Sequence, residues 1–279
     1  MDACSIAQEG PDLPRAVFDS TYRSTKTPVV IRNATLLSAA AFRAMTTIPA
    51  LIGAFGDANV TLSSANAFSY GRRTQQLREY LDSALGPHAQ QLWERAADDD
   101  DAASDIFYWF GEHGSELQQL ISSYPLPEYT YPVRRRRATK KLRMVQPGFF
   151  SNWASGASAT DDDEEEDDDE GGGLYPRQPA LSFGVGPDGS GVPFHFHNDG
   201  FSEVMHGAKY WLLYPHKPPR FRENATSVSW LKHDYPRLAP HERPRDCTIH
   251  PGDLLYFPRD WWHAIVNRGD PTVFMSTFL

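Results

Sequence analysis

Three histidines carry the clearest chemical signal in the chain: His195 and His197, one residue apart, and His263, 66 positions further on. In an extended strand, residues i and i+2 point to one face, so both histidines of His195-Phe196-His197 can look into one cavity. Neutral imidazole ligates Fe, Zn, Cu and Ni, and two from one strand plus one from a neighbour cap a metal ion with open positions opposite. Asp199 and Glu203 lie near enough in sequence to add a carboxylate, so a site of histidines and one acid can be assembled in more than one way. Lys209 is the other clue. A lysine entering a barrel must meet an anion or shift its pKa, which implies a carboxylate guest; the alternative is a lysine on an exposed strand face.

These residues need strands to hold them, and the second half of the chain supplies the pattern. From Ala180 onward, short runs rich in aromatic and β-branched residues alternate with Gly, Pro and Asp: 181–185, 192–197, 201–205, 209–214, 248–249, 253–257, 262–266 and 272–278. Eight such runs fit a double-stranded β-helix, the jelly roll that includes the cupins, so the fold class expected is mainly β with helical decoration. In Gly252-x5-Pro258-x4-His263-x3-Asn267, the asparagine reads as a turn residue. His206, His216, His233, His241 and His250 stand in loops or beside Pro and Gly and are expected at the surface.

The amino-terminal half mixes short strands, 28–32, 60–62 and 107–110, with helices. Thr74 is a plausible cap for a helix whose Leu77, Tyr80, Leu81, Ala84 and Leu85 share a face, and a second helix begins at Ser115 with Leu117, Leu120 and Ile121 on one side. Between the halves the composition changes. Seven basic residues from Arg134 to Arg143 precede ten consecutive acids, 161–170, and three glycines. Like charges in series cannot bury apolar area, so 132–175 reads as a charged insertion without stable structure. The expected organisation is a support region over 1–131, the insertion over 132–175 and the β core over 176–279.

The net charge of −9 comes from that acidic run; without it, 26 acids face 27 bases. No broad basic surplus is left to hold a phosphate backbone, which disfavours nucleic acid as a partner of the folded part. No run of 18 apolar residues is present, so no membrane span is expected. Two cysteines, Cys4 and Cys247, allow at most one bridge and leave the redox compartment undecided. Asn33, Asn59 and Asn224 begin Asn-x-Thr tripeptides that matter only in a secretory lumen.

Val192-Pro-Phe-His195-Phe-His197, Gly207-Ala-Lys209 and Gly252-Asp-Leu-Leu-Tyr-Phe-Pro-Arg-Asp-Trp-Trp-His263 resemble the JmjC family of Fe(II) and 2-oxoglutarate dioxygenases, cupin-fold enzymes related to asparaginyl hydroxylases. The likeness extends to Leu51–Gly56, Leu62–Asn66, Phe68–Tyr70, Ser182–Gly184 and Phe201–Val204, and spans most of the chain outside the insertion. It implies that His195 and His263 are metal ligands, that Lys209 pairs with the distal carboxylate of 2-oxoglutarate, and that Thr277 lies near the cosubstrate. Trp261 and Trp262 match an aromatic pair whose role is packing. The resemblance implies hydroxylation of a protein substrate with Fe(II), another divalent metal being the alternative. It also implies the lumen of the endoplasmic reticulum, although the first residues carry no signal-peptide pattern, which leaves the cytoplasm open. One position departs. Where active relatives carry Asp or Glu two residues after the first histidine, this chain has His197, which removes a negative charge from the metal's surroundings. A protein without catalysis that binds partners, and a cupin using His195, His197, Glu203 and His263 without 2-oxoglutarate, are the competing expectations.

Overall fold

The computed structural model describes residues 4–64, 71–84, 107–111, 115–131, 143–144, 179–223 and 225–279. In chain order these form β1 (Ala7–Glu9), α1 (Arg15–Phe18), β2 (Val29–Ile31), α2 (Ala40–Met45), α3 (Ile48–Phe55), β3 (Asn59–Ser64), β4 (Arg72–Gln76), α4 (Leu77–Ala84), β5 (Phe107–Phe110) and α5 (Ser115–Ser122). There follow β6 (Arg143–Met144), β7 (Ala180–Gly186), β8 (Gly200–Tyr214), α6 (Ser227–His233), β9 (Arg245–Ile249), β10 (Leu254–Phe257) and β11 (Trp262–Phe278). The strand path is β1-β2-β10-β8-β11-β7-β5-β3-β4, with β6 joined to β7 and β9 to β8. This is the mainly β, jelly-roll architecture of a cupin with helices packed outside.

Two long strands build the site. β8 pairs antiparallel with β11 along nearly its whole length, from Gly200↔Phe278 to Tyr214↔Trp262. The first part of β8 also pairs with β10, and from Lys209 to Leu213 it pairs with β9 instead. Each long strand thus runs through both halves of the roll, where the sequence pattern suggested two short strands. The change of partner takes place at a bend. Gly207 has φ +76°, and a Cβ there would stand 2.8 Å from Thr272 Oγ1 and 3.0 Å from the Arg268 and Pro271 carbonyl oxygens, so only glycine fits. The β8–β11 register shifts between Arg268 and Phe274.

The shift reverses which side chains face inward. Before it, Val204 of β8 packs inside with Phe274 and Phe278 of β11; beyond it, Trp211 and Leu213 do so with Ile265. The outer face of β7, β8 and β11, with Phe183, Met205 and Met275, is covered by Leu77 and Leu81 of α4 and Leu117 and Ile121 of α5. Thr74, expected as the α4 cap, lies within β4, which pairs with β3 and runs directly into the helix. Residue 85 lies outside the described residues. So does the 132–175 insertion, save for Arg143–Met144, which pairs in parallel with Ala180–Leu181.

The amino-terminal segment is fastened to the barrel. Cys4 and Cys247 form a disulfide, with Cα atoms 4.2 Å apart. Arg32 joins β2 to the turn before β10 by a 2.6 Å ion pair with Asp253, whose carboxylate also accepts the His250 N–H. No helix among the described residues is long and apolar enough to cross a membrane.

Candidate metal centre

His195 sits on the short run 190–195, which lies alongside the first part of β11. His195 N–H donates to the His263 carbonyl and His263 N–H donates back, while Ile265 and Asn267 N–H groups reach the carbonyls of Val192 and Ser190. The expected strand over 192–197 is therefore a single bridge at His195, and the chain leaves the ladder beyond it. Gly191 permits the close approach, since a Cβ there would lie 2.0 Å from the Ile265 carbonyl oxygen.

This arrangement brings together the three histidines singled out in the sequence. The ligand atoms of His195, His197 and His263 all lie within 4.8 Å of one another. Each ring is held by its own Nδ1, which lies 2.7 Å from the Pro193 carbonyl in His195, 2.7 Å from the Asn198 carbonyl in His197 and 2.9 Å from the Trp261 carbonyl in His263. A carbonyl only accepts, so Nδ1 carries the hydrogen in all three rings and Nε2 keeps the lone pair a metal requires. Burial favours the neutral form as well. It pushes His195 down to about 4 and His197 to about 3, and takes His263 well below its ordinary value, with the mutual repulsion of the rings and of Lys209 adding to it. Three neutral imidazoles offered from one side are a donor set that fits a divalent transition metal.

The cavity beside them is lined by Lys209, Asn267, Ser276 and the rings of Tyr108, Phe110, Trp211, Phe257, Phe274 and Phe278. Its free volume is about 20 Å³, the space of one water molecule. Lys209 points inward, is 3% exposed, and has Nζ 3.4 Å from the centre of the Phe274 ring. Its ammonium has no carboxylate partner among the described residues, and burial alone takes its pKa well below the ordinary value.

Three residues expected at this site lie elsewhere. Glu203 and Thr277 occupy the opposite parity from Ser202 and Ser276 on their strands, so they face the outer helices. Glu203 is fully buried there, accepting hydrogen bonds of 2.6 Å from the Thr35 and Tyr124 hydroxyls, with Arg43 at 3.6 Å. Burial pushes its carboxyl up to about 7 in spite of those partners. Asp199 turns away beyond His197, its carboxylate accepting the Arg259 N–H at 2.6 Å and the Tyr256 hydroxyl at 3.2 Å. Sheet parity and a turn thus commit both of these acids to structural bonds away from the cluster.

Two further expectations change. Asn267 is a buried strand residue directly across from Lys209, its Nδ2 donating to Ser190 Oγ at 2.8 Å. His206 lies within β8 and its Nε2 donates to the Arg43 carbonyl at 2.9 Å. The aromatic wall went unread in the sequence. Tyr108 and Phe110 alternate along β5, a usable signal, but one residue belonging to a strand far away in sequence gives no hint of which cavity it lines.

A cupin-like domain model matches residues 14–278. JmjC domain-containing protein 8 of Homo sapiens is 34% identical across the whole chain and 84% of its own length. Shorter matches include 2-oxoglutarate and iron-dependent oxygenase JMJD4 of Mus musculus, 30% identical over 31% of this chain and 23% of that protein. Bifunctional arginine demethylase and lysyl-hydroxylase psr-1 of Caenorhabditis briggsae is 29% identical over 33% and 28%. The fold and the pocket at the β8–β11 ribbon define a cupin. The chain belongs to the JmjC branch of that cupin-like family.

Proposed function

We propose that this chain is a metal-dependent oxygenase of the hydroxylase type, acting on a protein side chain with 2-oxoglutarate as cosubstrate. The observation that carries the reading is Lys209, a buried amine with no carboxylate partner among the described residues, in the same small cavity as three metal-competent imidazoles. His195, His197 and His263 would hold the metal through Nε2, and Lys209 would receive the far carboxylate of the cosubstrate. Fe(II) with 2-oxoglutarate supplies activation of O2 and oxidation of a C–H bond. The chain's own part is to hold three tautomers fixed through backbone carbonyls, to exclude water with six aromatic rings, and to offer the Lys209 amine, which an anionic guest would keep protonated. A guest larger than water requires rings such as Phe274, which lies against Lys209, to move.

A second reading, a JmjC module that binds partners without catalysis, is favoured by the missing carboxylate and the filled cavity. The two part on Fe(II)-dependent conversion of 2-oxoglutarate to succinate by the full chain. Turnover above a His263→Ala control, lost in Lys209→Ala, is expected; absence of both 2-oxoglutarate binding and succinate refutes the oxygenase reading. The Cys4–Cys247 disulfide supports an oxidising compartment such as the endoplasmic reticulum lumen.

A further inference from the structure

The wall of the cavity is short of negative charge. Its ionisable groups are three neutral imidazoles, one ammonium and the Tyr108 hydroxyl, and neither Asp nor Glu lines it among the described residues. A divalent ion on three neutral nitrogens keeps both of its charges, whereas two histidines and one carboxylate would leave it with one. Residual charge in an aromatic, water-poor cavity is costly unless an anion accompanies it. Among the described residues, neither acid near the cluster in sequence can swing in at low cost. Asp199 would forfeit its bonds to Arg259 and Tyr256, and Glu203 would have to cross the sheet. Lys209, on the same cavity, supplies no negative charge to reduce that deficit. The space available matches a ligand of very few atoms.

We propose that the metal centre binds a small monoanion, a halide or a formate-sized carboxylate, as a metal ligand in place of the carboxylate missing at position 197. The inference rests on the reading of the three histidines as metal ligands. No redox step is involved: the anion displaces water from the metal, and the pair carries one positive charge less.

The test uses the full-length chain loaded with Co(II), whose visible absorption reports ligand exchange. Chloride, formate and azide are titrated separately at constant ionic strength, with perchlorate as the non-coordinating control. A saturable spectral change with one equivalent of anion per metal is expected. It should weaken at least tenfold in His197→Asp, which supplies the carboxylate from the chain. Response to chloride alone, or to formate alone, identifies which source of negative charge the site takes. Bound Co(II) with no response to any of the three anions overturns this inference and leaves the metal reading standing, while failure to bind Co(II) at all overturns both. An equal response in His197→Asp also overturns it. Should that variant misfold, metal-edge X-ray absorption of the wild-type chain with bromide decides: a bromine scatterer bound to the metal upholds the proposal and its absence refutes it.

Discussion

Replacing Lys209 by Met should stabilise the metal-free protein while removing its affinity for a carboxylate guest. The side chain is 3% exposed, its amine has no carboxylate partner among the described residues, and Nζ lies 3.4 Å from the centre of the Phe274 ring. An unsatisfied buried polar group costs about 1–3 kcal/mol, and more when charged. The aromatic face returns about 2 kcal/mol at a desolvated site. Methionine keeps an unbranched stem and packs adaptably, so the net gain should be on the order of 1–3 kcal/mol. The pH dependence supplies an internal check. Burial lowers the lysine's pKa from 10.5, so between its folded value and 10.5 the unfolded chain holds a proton that the folded chain has released. Wild-type stability from this group therefore rises with pH through that window, by about 1.4 kcal/mol per unit, and is lost as pH falls. The advantage of Lys209→Met should be largest at low pH and fade towards pH 10.5. Urea unfolding of both proteins across pH, followed by tryptophan fluorescence, measures it. A methionine variant less stable than wild type, or a stability difference that ignores pH, would refute the account of Lys209 as an unpaired buried cation.

Glu203 provides the opposite sign. Its carboxyl rises from 4.5 to about 7 on folding, so its contribution is fully present below pH 4.5 and is lost as pH climbs through 7, amounting to about 3 kcal/mol. The stability of wild type relative to Glu203→Gln should fall across that window; a flat difference from pH 4 to 8 counts against it. Glu203→Leu, which removes the acceptor shared by the Thr35 and Tyr124 hydroxyls and leaves Thr35 the Gly252 carbonyl at 3.1 Å, should cost about 1–3 kcal/mol at neutral pH by chemical denaturation. Reduction of the Cys4–Cys247 bridge should lower stability by about 2–4 kcal/mol. Cys4→Ser should be equally destabilised and insensitive to dithiothreitol, and a wild-type urea midpoint unmoved by reductant would contradict this.

The jelly roll and its metal-competent histidines are legible in the sequence because strand periodicity and imidazole chemistry are local. His195, His197 and His263 needed only the expectation that two strands meet. For Lys209 the sequence leaves an inward and an exposed position open; it faces inward because it falls after the Gly207 bend on the parity of Trp211. Glu203 and Thr277 face the outer helices for two different reasons. Between His197 and Glu203 the chain leaves the ladder and re-enters it at Gly200, and between His263 and Thr277 the β8–β11 register shifts; both reset the side-chain parity and neither shows in residue spacing. Asp199 is bound away from the cluster by Tyr256 and the Arg259 N–H, which lie some 60 residues away and become neighbours only in the fold. His206, expected at the surface from its glycine neighbour, stands in β8 because that glycine is where a continuous strand bends.

The bridge between Cys4 and Cys247, 243 positions apart, turns almost the whole polypeptide into one covalent loop. A single backbone cut anywhere within that loop, the 132–175 insertion included, leaves the pieces joined. A nicked molecule would keep its mass on a non-reducing gel and separate into fragments only on reduction. Proteolytic processing of this protein would therefore go unseen by any assay that leaves its disulfide intact, and the two products could hold the barrel together as a two-chain molecule.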